Sequence, residues 1–133
     1  MQSTAATLPS SRGGLPRVVV VDDDPAVCNS LKFSLELEGF GVRAYGGAAE
    51  LLDGGDLASC DCFVIDQRMP GMSGLDLITK LRDLKVRTPV ILLISHPNPA
   101  ISARATKANV PIVEKPLIGN GLIDKIREAC GSK

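Results

Sequence analysis

The sequence predicts an α/β protein with a doubly wound, five-stranded parallel sheet of strand order 2-1-3-4-5. The main observation is that apolar runs such as RVVVV, CFVID and PVILLI alternate along the chain with helical patterns. Strands that are apolar throughout are typical of parallel sheets that helices cover on both faces. The second observation is the length of 133 residues, which fits one domain of this kind.

The first half of the chain predicts the order strand, helix, strand, helix, strand. RVVVV is the first strand, and Asp24 followed by Pro25 has the pattern of a helix N-cap and first helical residue. This helix is expected to end before Gly39. GVRAY predicts a short second strand, AAELLDG a short helix, and CFVID a third strand that ends at Asp66.

The second half continues the alternation. Ser73 can cap a helix that runs to about Leu84 and buries a side that includes this leucine. PVILLI predicts the fourth strand, and Asn98 with Pro99 can start a helix of small residues. PIVEK predicts the fifth strand, and a last amphipathic helix follows it. Residues 1–16 have the composition of a flexible arm, so we expect the folded domain to span residues 17–131.

Composition argues against several classes of function. The formal net charge is zero and aromatic residues make up only 3% of the chain, so neither nucleic acid nor a membrane surface is an expected partner. No secretory signal and no membrane-spanning run is visible. The four cysteines lack the C-x-x-C spacing of a metal or redox site and suit a reducing compartment. We therefore expect a soluble cytoplasmic protein.

Charged residues follow three of the predicted strands. Asp22 and Asp23 come at the end of the first strand, Asp66 at the end of the third, and Lys115 at the end of the fifth. The carboxyl ends of parallel strands share one edge of the sheet, and ligands bind there at the switch point between strands 1 and 3. We therefore expect these four side chains to converge.

The expected cluster suits a divalent cation and a phosphoryl group. Three carboxylates are hard oxygen ligands of the kind that Mg²⁺ or Mn²⁺ prefers. A carboxylate can also act as a nucleophile and form an aspartyl-phosphate, for which Asp66 is the candidate. Lys115 is suited to contact the phosphate or the carboxylate that the phosphate replaces. Asp24 is more simply explained as a helix cap, and His96 as a solvated loop residue.

Three motifs in order, VVVDDDP, FVIDQRMPGMSGLDL and VEKP, closely resemble the receiver domain of two-component response regulators, which has a flavodoxin-like fold. The residues of these motifs are most similar to those of the nitrogen-fixation regulator subgroup. The resemblance implies that Asp66 is the phosphoacceptor, that Asp23 binds Mg²⁺ directly and Asp22 through water, and that the Arg68 carbonyl is a further ligand. It also implies that Lys115 contacts the phosphoryl group.

Further implications concern partners and the Lys115–Pro116 peptide, which is expected to be cis. The phosphoryl donor would be a phosphohistidine on a sensor histidine kinase or phosphotransfer protein, and the signal would pass to a downstream protein. The chain departs from the family at Ile94, where a Ser or Thr is usual, and at Ile112, where an aromatic residue is usual. Ser95 is the alternative phosphate contact, if the fourth strand carries a bulge.

Three hypotheses remain open at this point. The first is a stand-alone receiver that acts by protein contact and is not an enzyme. The second is a pseudo-receiver, a binding module that is insensitive to phosphorylation. The third is a haloacid-dehalogenase-like phosphatase, because Asp22 and Asp24 form D-x-D after an apolar strand, although Ala26 stands where that family has Thr or Val.

Overall fold

The computed structural model describes residues 15–54, 57, 59–117 and 119–131. Residues 1–14 of the predicted arm therefore lie outside the described residues. The strands are β1 (Arg17–Val21), β2 (Gly41–Tyr45), β3 (Cys62–Asp66), β4 (Val90–Ile94) and β5 (Ile112–Glu114). The helices are α1 (Pro25–Leu37), α2 (Ala48–Gly54), α3 (Gly74–Asp83), α4 (Pro99–Lys107) and α5 (Gly121–Ala129). Within these ranges, no helix has the length and apolarity needed to cross a bilayer.

The strands form one parallel sheet in the order β2-β1-β3-β4-β5, which confirms the predicted order. β1 and β3 are neighbours although a strand and two helices separate them along the chain. Val21 at the end of β1 lies beside Ile65, so Asp22 and Asp66 follow side by side at the carboxyl edge. This pairing places the first acidic residue next to the last residue of β3.

Alternate residues of the central strands pack against different helices. On one face, Val18, Val20 and Val64 pack with residues of α1 and α5. On the other face, Val19 and Ile65 pack with residues of α2, α3 and α4. Each aliphatic side chain that is fully buried contributes about 1.5–3 kcal/mol to folding. The two apolar layers therefore hold the strand ends, and the charged residues on them, in fixed positions.

The helix ends agree with most of the predicted signals. Asp24 caps α1 by accepting a hydrogen bond from the N–H of Ala26 at 2.9 Å, so its predicted role as a cap is confirmed. Gly39 has φ +98° just after α1, a conformation that strongly favours glycine. The prediction that Leu84 is buried was wrong. It is 48% exposed, because α3 ends at Asp83 and Leu84 occupies the C-cap position.

Burial differs between the central strands and the edge strands. β1, β3 and β4 are almost entirely buried, as apolar central strands should be. β2 and β5 are only partly buried, because each has a neighbour on one side alone. Near-complete burial is therefore confined to the three central strands.

Candidate functional site

Three carboxylates meet at the carboxyl edge of the sheet. Asp22, Asp23 and Asp66 each offer an oxygen, and these atoms all lie within 4.8 Å of one another. Asp22 is 1% exposed and Asp66 is 4% exposed, whereas Asp23 is exposed to solvent. Like charges at this separation repel strongly in a buried setting. The structure therefore brings together the three acids that the strand ends predicted.

Lys115 lies between the two buried acids. Its Nζ is 3.0 Å from Asp22 Oδ2 and 2.8 Å from Asp66 Oδ1. Burial lowers the pKa of the Lys115 ammonium, but hydrogen bonds and the charges of Asp66 and Asp22 outweigh burial and raise it. Lys115 is therefore a firmly charged bridge. The Lys115–Pro116 peptide that follows it is cis, as the resemblance implied.

The pKa of Asp66 is raised above its ordinary value. Burial is the largest cause, and the nearby charge of Asp22 acts in the same direction. The hydrogen bond from Lys115 opposes this rise. A positive charge beside Asp66, from lysine or from a cation, therefore favours the ionised carboxylate that a nucleophile requires.

Backbone groups fix the other oxygen of each buried acid. Asp22 Oδ1 accepts a hydrogen bond from the N–H of Asp24 at 2.9 Å. Asp66 Oδ2 accepts one from the N–H of Arg68 at 3.2 Å. Each carboxylate therefore contacts the Lys115 ammonium through one oxygen. Its other oxygen accepts a hydrogen bond from the main-chain N–H two residues later in the chain. Both side chains are held in defined orientations.

The thiol of Cys28 also contacts the site, which sequence reasoning missed. Its Sγ donates to the main-chain oxygen of Asp22 at 3.1 Å. Burial and the charge of Asp22 raise the pKa of this thiol, so it stays protonated and can donate. The position of Cys28 on the buried side of α1, one turn after the cap, was the available signal. The thiol supports the backbone at Asp22.

Gly74 is another residue of the site that the sequence did not single out. A Cβ at this position would lie 2.7 Å from the main-chain oxygen of Asp66 and 2.8 Å from Leu92 Cδ1. The first residue of α3 therefore packs directly against the backbone of the acid on β3. A glycine just after the helix cap Ser73, where a better helix former would be expected, was the signal for this close contact.

The two predicted switch positions lie on neighbouring strands, with Ile94 just after Leu93, the partner of Asp66, and Ile112 at the start of β5 against the apolar core. Ile94 is 4% exposed at the end of β4, and Ser95 after it is exposed. The register of β4 against β5 is continuous through Ile94, with no bulge among the paired residues. His96 is exposed, as predicted, and lines a cavity of about 160 Å³ together with Ile94, Ser95 and Arg68.

Comparison with known proteins assigns the family. The family model for the response regulator receiver domain matches residues 18–127. The transcriptional regulatory protein FixJ of Azorhizobium caulinodans is 36% identical over 115 residues, which cover 86% of this chain and 54% of that protein. The chain therefore spans about half the length of the curated relatives it matches.

Solved structures agree with this assignment. The structure of FixJ-N superposes with a TM-score of 0.76 and 33% identity, and the match covers 88% of this chain and 94% of that one. The response regulator TrrA of Thermotoga maritima, in complex with Mg²⁺-BeF, has a TM-score of 0.76 and 27% identity over 86% of this chain and 99% of that one. The chain belongs to the response regulator receiver domain family.

Proposed function

We propose that this domain is a Mg²⁺-dependent phosphoacceptor that takes a phosphoryl group at Asp66 from a phosphohistidine on a sensor histidine kinase or phosphotransfer protein. The observation that carries the proposal is the buried carboxylate of Asp66, with Lys115 at 2.8 Å and two further acids beside it. The site is signalling machinery and not the centre of a classical enzyme. A cytoplasmic location is part of the same proposal, since sensor kinases donate there.

The residues of the cluster fit a small divalent cation. All the side-chain donors are carboxylate oxygens, the ligands that Mg²⁺ prefers, and Mn²⁺ accepts the same set. We assign Asp22, Asp23, Asp66 and the carbonyl of Arg68 as the groups that would hold it. When bound, the cation would supply positive charge that reduces the repulsion between the Asp66 carboxylate and the oxygens of an incoming phosphate. TrrA, a relative of the same fold, was crystallised with Mg²⁺-BeF.

In the transfer step, an oxygen of Asp66 attacks the phosphorus atom. A new P–O bond forms while the bond from phosphorus to the histidine nitrogen breaks, and that nitrogen keeps the electron pair. Lys115 is placed to contact the phosphoryl oxygens, since its ammonium already lies beside the nucleophile. Incubation with a small acyl phosphate, with and without Mg²⁺, tests this function directly by intact mass.

Mg²⁺ should stabilise the folded domain. A ligand at about 100 times its dissociation constant adds about 2.7 kcal/mol to the free energy of unfolding if only the native state binds it. Asp23→Ala should abolish this gain, and it should not destabilise the metal-free protein because it removes one of three repelling charges. Thermal unfolding with and without Mg²⁺ measures both effects.

Asp83→Ala is the matched control for this experiment. Asp83 is an exposed acid at the end of α3, away from the carboxyl edge of the sheet. The Asp83→Ala variant should gain as much stability from Mg²⁺ as the wild type does. A wild-type melting temperature that is the same with and without Mg²⁺ would count against the metal site.

We propose that phosphorylation propagates weakly from Asp66 to the face formed by α4, β5 and α5. Ile94 has no hydroxyl with which to bind a phosphoryl oxygen, and its β-branched side chain has few rotamers. Ile112 has no ring that could swing between two positions. A shift between two states requires different contacts in each state, and these residues cannot supply the usual ones. Ser95 does have a hydroxyl. If the loop between β4 and α4 rearranges so that this hydroxyl binds the phosphoryl group, phosphorylation would propagate strongly instead.

Amide hydrogen exchange with and without beryllofluoride measures this propagation. We expect protection changes near Asp66 and in the loop after β4, and changes of less than about twofold across residues 100–130. Ser95→Ala should leave the pattern unchanged. Large changes across residues 100–130 in the wild type that disappear in Ser95→Ala would assign the relay to Ser95 and overturn this proposal.

The same two isoleucines favour a second candidate function, a pseudo-receiver that binds a partner regardless of phosphorylation. Both hypotheses use the same fold and differ only in whether affinity depends on phosphorylation at Asp66. Measuring the affinity of a partner before and after beryllofluoride treatment separates them. The D-x-D phosphatase hypothesis has no structural support, since Asp24 caps α1 and is not part of the acidic cluster.

A further inference from the structure

Gln67, the residue after the acceptor, makes three hydrogen bonds that join separate elements. Its N–H donates to the Leu93 oxygen at 2.9 Å, which ties it to β4. Its main-chain oxygen accepts from the N–H of Gly74 at 3.0 Å. Its side-chain Oε1 accepts from the N–H of Leu75 at 2.9 Å. The last two bonds close the loop from Gln67 to Ser73, the acceptor loop, onto the first turn of α3.

The first turn of α3 also bears on the acceptor itself. A Cβ at Gly74 would lie only 2.7 Å from the main-chain oxygen of Asp66, so this turn packs directly against the end of β3. Leu75 is 2% exposed, and its N–H would be a buried, unpaired donor without Gln67. Gln67 is therefore in the position to set the distance between α3 and the acceptor loop.

Arg68 lies next to Gln67 inside the acceptor loop. Its N–H holds Asp66 Oδ2 at 3.2 Å, and its carbonyl is the ligand assigned above to the metal. Both groups are main-chain atoms of Arg68. Their positions depend on how the two ends of the acceptor loop are anchored. Met69, which is 8% exposed, anchors the middle of the loop in the core. The peptide before Arg68 is held through the Gln67 carbonyl on Gly74, so the Gln67 carboxamide acts on it by fixing the first turn of α3.

We infer that the carboxamide of Gln67 is a positioning residue of the phosphoacceptor site, which holds the Arg68 backbone where it can orient Asp66 and bind Mg²⁺. The metal part of this inference rests on the proposed function. The orientation part concerns the metal-free protein alone. Gln67 acts through Arg68 and does not itself touch the phosphoryl group.

Gln67→Met tests the inference, because Met has a similar length and no strong acceptor. Ser73→Ala is the matched control, since Ser73 caps the same turn by accepting from the N–H of Asp76 at 3.2 Å and makes no hydrogen bond to Arg68 in the described part of the chain. In the metal-free protein, amide exchange at Arg68 should accelerate about fivefold or more in Gln67→Met and less than about twofold in Ser73→Ala. The dissociation constant of Mg²⁺ should rise about fivefold only in Gln67→Met.

The rate of amide exchange at Arg68 decides whether Gln67 positions the Arg68 backbone in the metal-free protein. If it is unchanged in Gln67→Met, Gln67 is only a cap of α3 and the inference is overturned, whatever the Mg²⁺ affinity. If it accelerates while the dissociation constant of Mg²⁺ stays within about twofold of the wild type, the metal part is overturned. A wild type that does not bind Mg²⁺ would overturn the proposed function, and the exchange comparison would still decide the role of Gln67.

Discussion

Asp66→Asn should abolish the uptake of phosphate from a small acyl-phosphate donor in the presence of Mg²⁺. Asparagine keeps the shape of the side chain and one oxygen for Lys115, so the fold should persist. The carboxamide is not a nucleophile of useful strength, so no P–O bond forms. Intact-mass analysis of the two proteins after the same incubation measures the adduct.

Asp61→Asn is the control for this change. Asp61 precedes β3 at the opposite edge of the sheet, where its Oδ2 accepts a hydrogen bond from the N–H of Arg17 at 2.8 Å. An asparagine can accept the same bond, so this variant should take up phosphate as the wild type does. A phosphate adduct on Asp66→Asn would assign the nucleophile to another residue.

Lys115→Met should cost the metal-free protein about 3 kcal/mol of unfolding free energy at neutral pH. Removing one partner of a buried ionic network leaves the remaining charges uncompensated, which typically costs about 3–5 kcal/mol. Lys115 is partly exposed at the side chain, so we place the loss at the lower end of this range. Mg²⁺ should restore more stability to this variant than to the wild type, because it then supplies the missing positive charge.

The loss should also depend on pH. Lys115 opposes the rise in the pKa of Asp66 that burial and Asp22 cause, so its removal should raise that pKa further. A carboxyl group with a higher pKa in the folded state than in the unfolded state binds protons preferentially in the folded state. The destabilisation should therefore be complete at neutral pH and shrink as the pH falls through the raised pKa.

Denaturant unfolding at neutral and acidic pH, with and without Mg²⁺, tests these effects. Lys80→Met is the matched control, since Lys80 is an exposed lysine of α3 outside the acidic cluster. It should change the unfolding free energy by less than about 0.5 kcal/mol. Equal stability of Lys115→Met and the wild type without Mg²⁺ would show that the lysine is not the counter-charge of the two buried acids.

The sequence predicted the sheet and the meeting of its charged strand ends because both follow from strand hydrophobicity and parallel topology. Each of the charged residues comes next to an apolar run, so its place on the carboxyl edge needs no knowledge of side-chain packing. The same reasoning failed for Leu84, where one residue decides whether the helix continues.

Contacts between distant parts of the chain could not be predicted in the same way. The sequence suggested that Lys115 contacts a phosphate or a single carboxylate, whereas the structure places its ammonium between two carboxylates. Cys28 was marked only by its place on the buried side of α1, and Gln67 had no distinguishing pattern, because such a thiol and an amide after a strand occur in many settings. Their bonds to Asp22 and to the first turn of α3 depend on how whole elements pack.

The most direct test of a metal-dependent acceptor at Asp66 is to locate the phosphorylated residue in the wild-type protein. Reduction of an acyl phosphate by borohydride converts the modified aspartate into homoserine, which peptide sequencing by mass spectrometry identifies. After incubation with a small acyl phosphate, we predict homoserine at position 66 when Mg²⁺ is present and none when a chelator removes it. Homoserine at Asp22 or Asp23, or equal modification with and without Mg²⁺, would contradict a metal-dependent acceptor at Asp66.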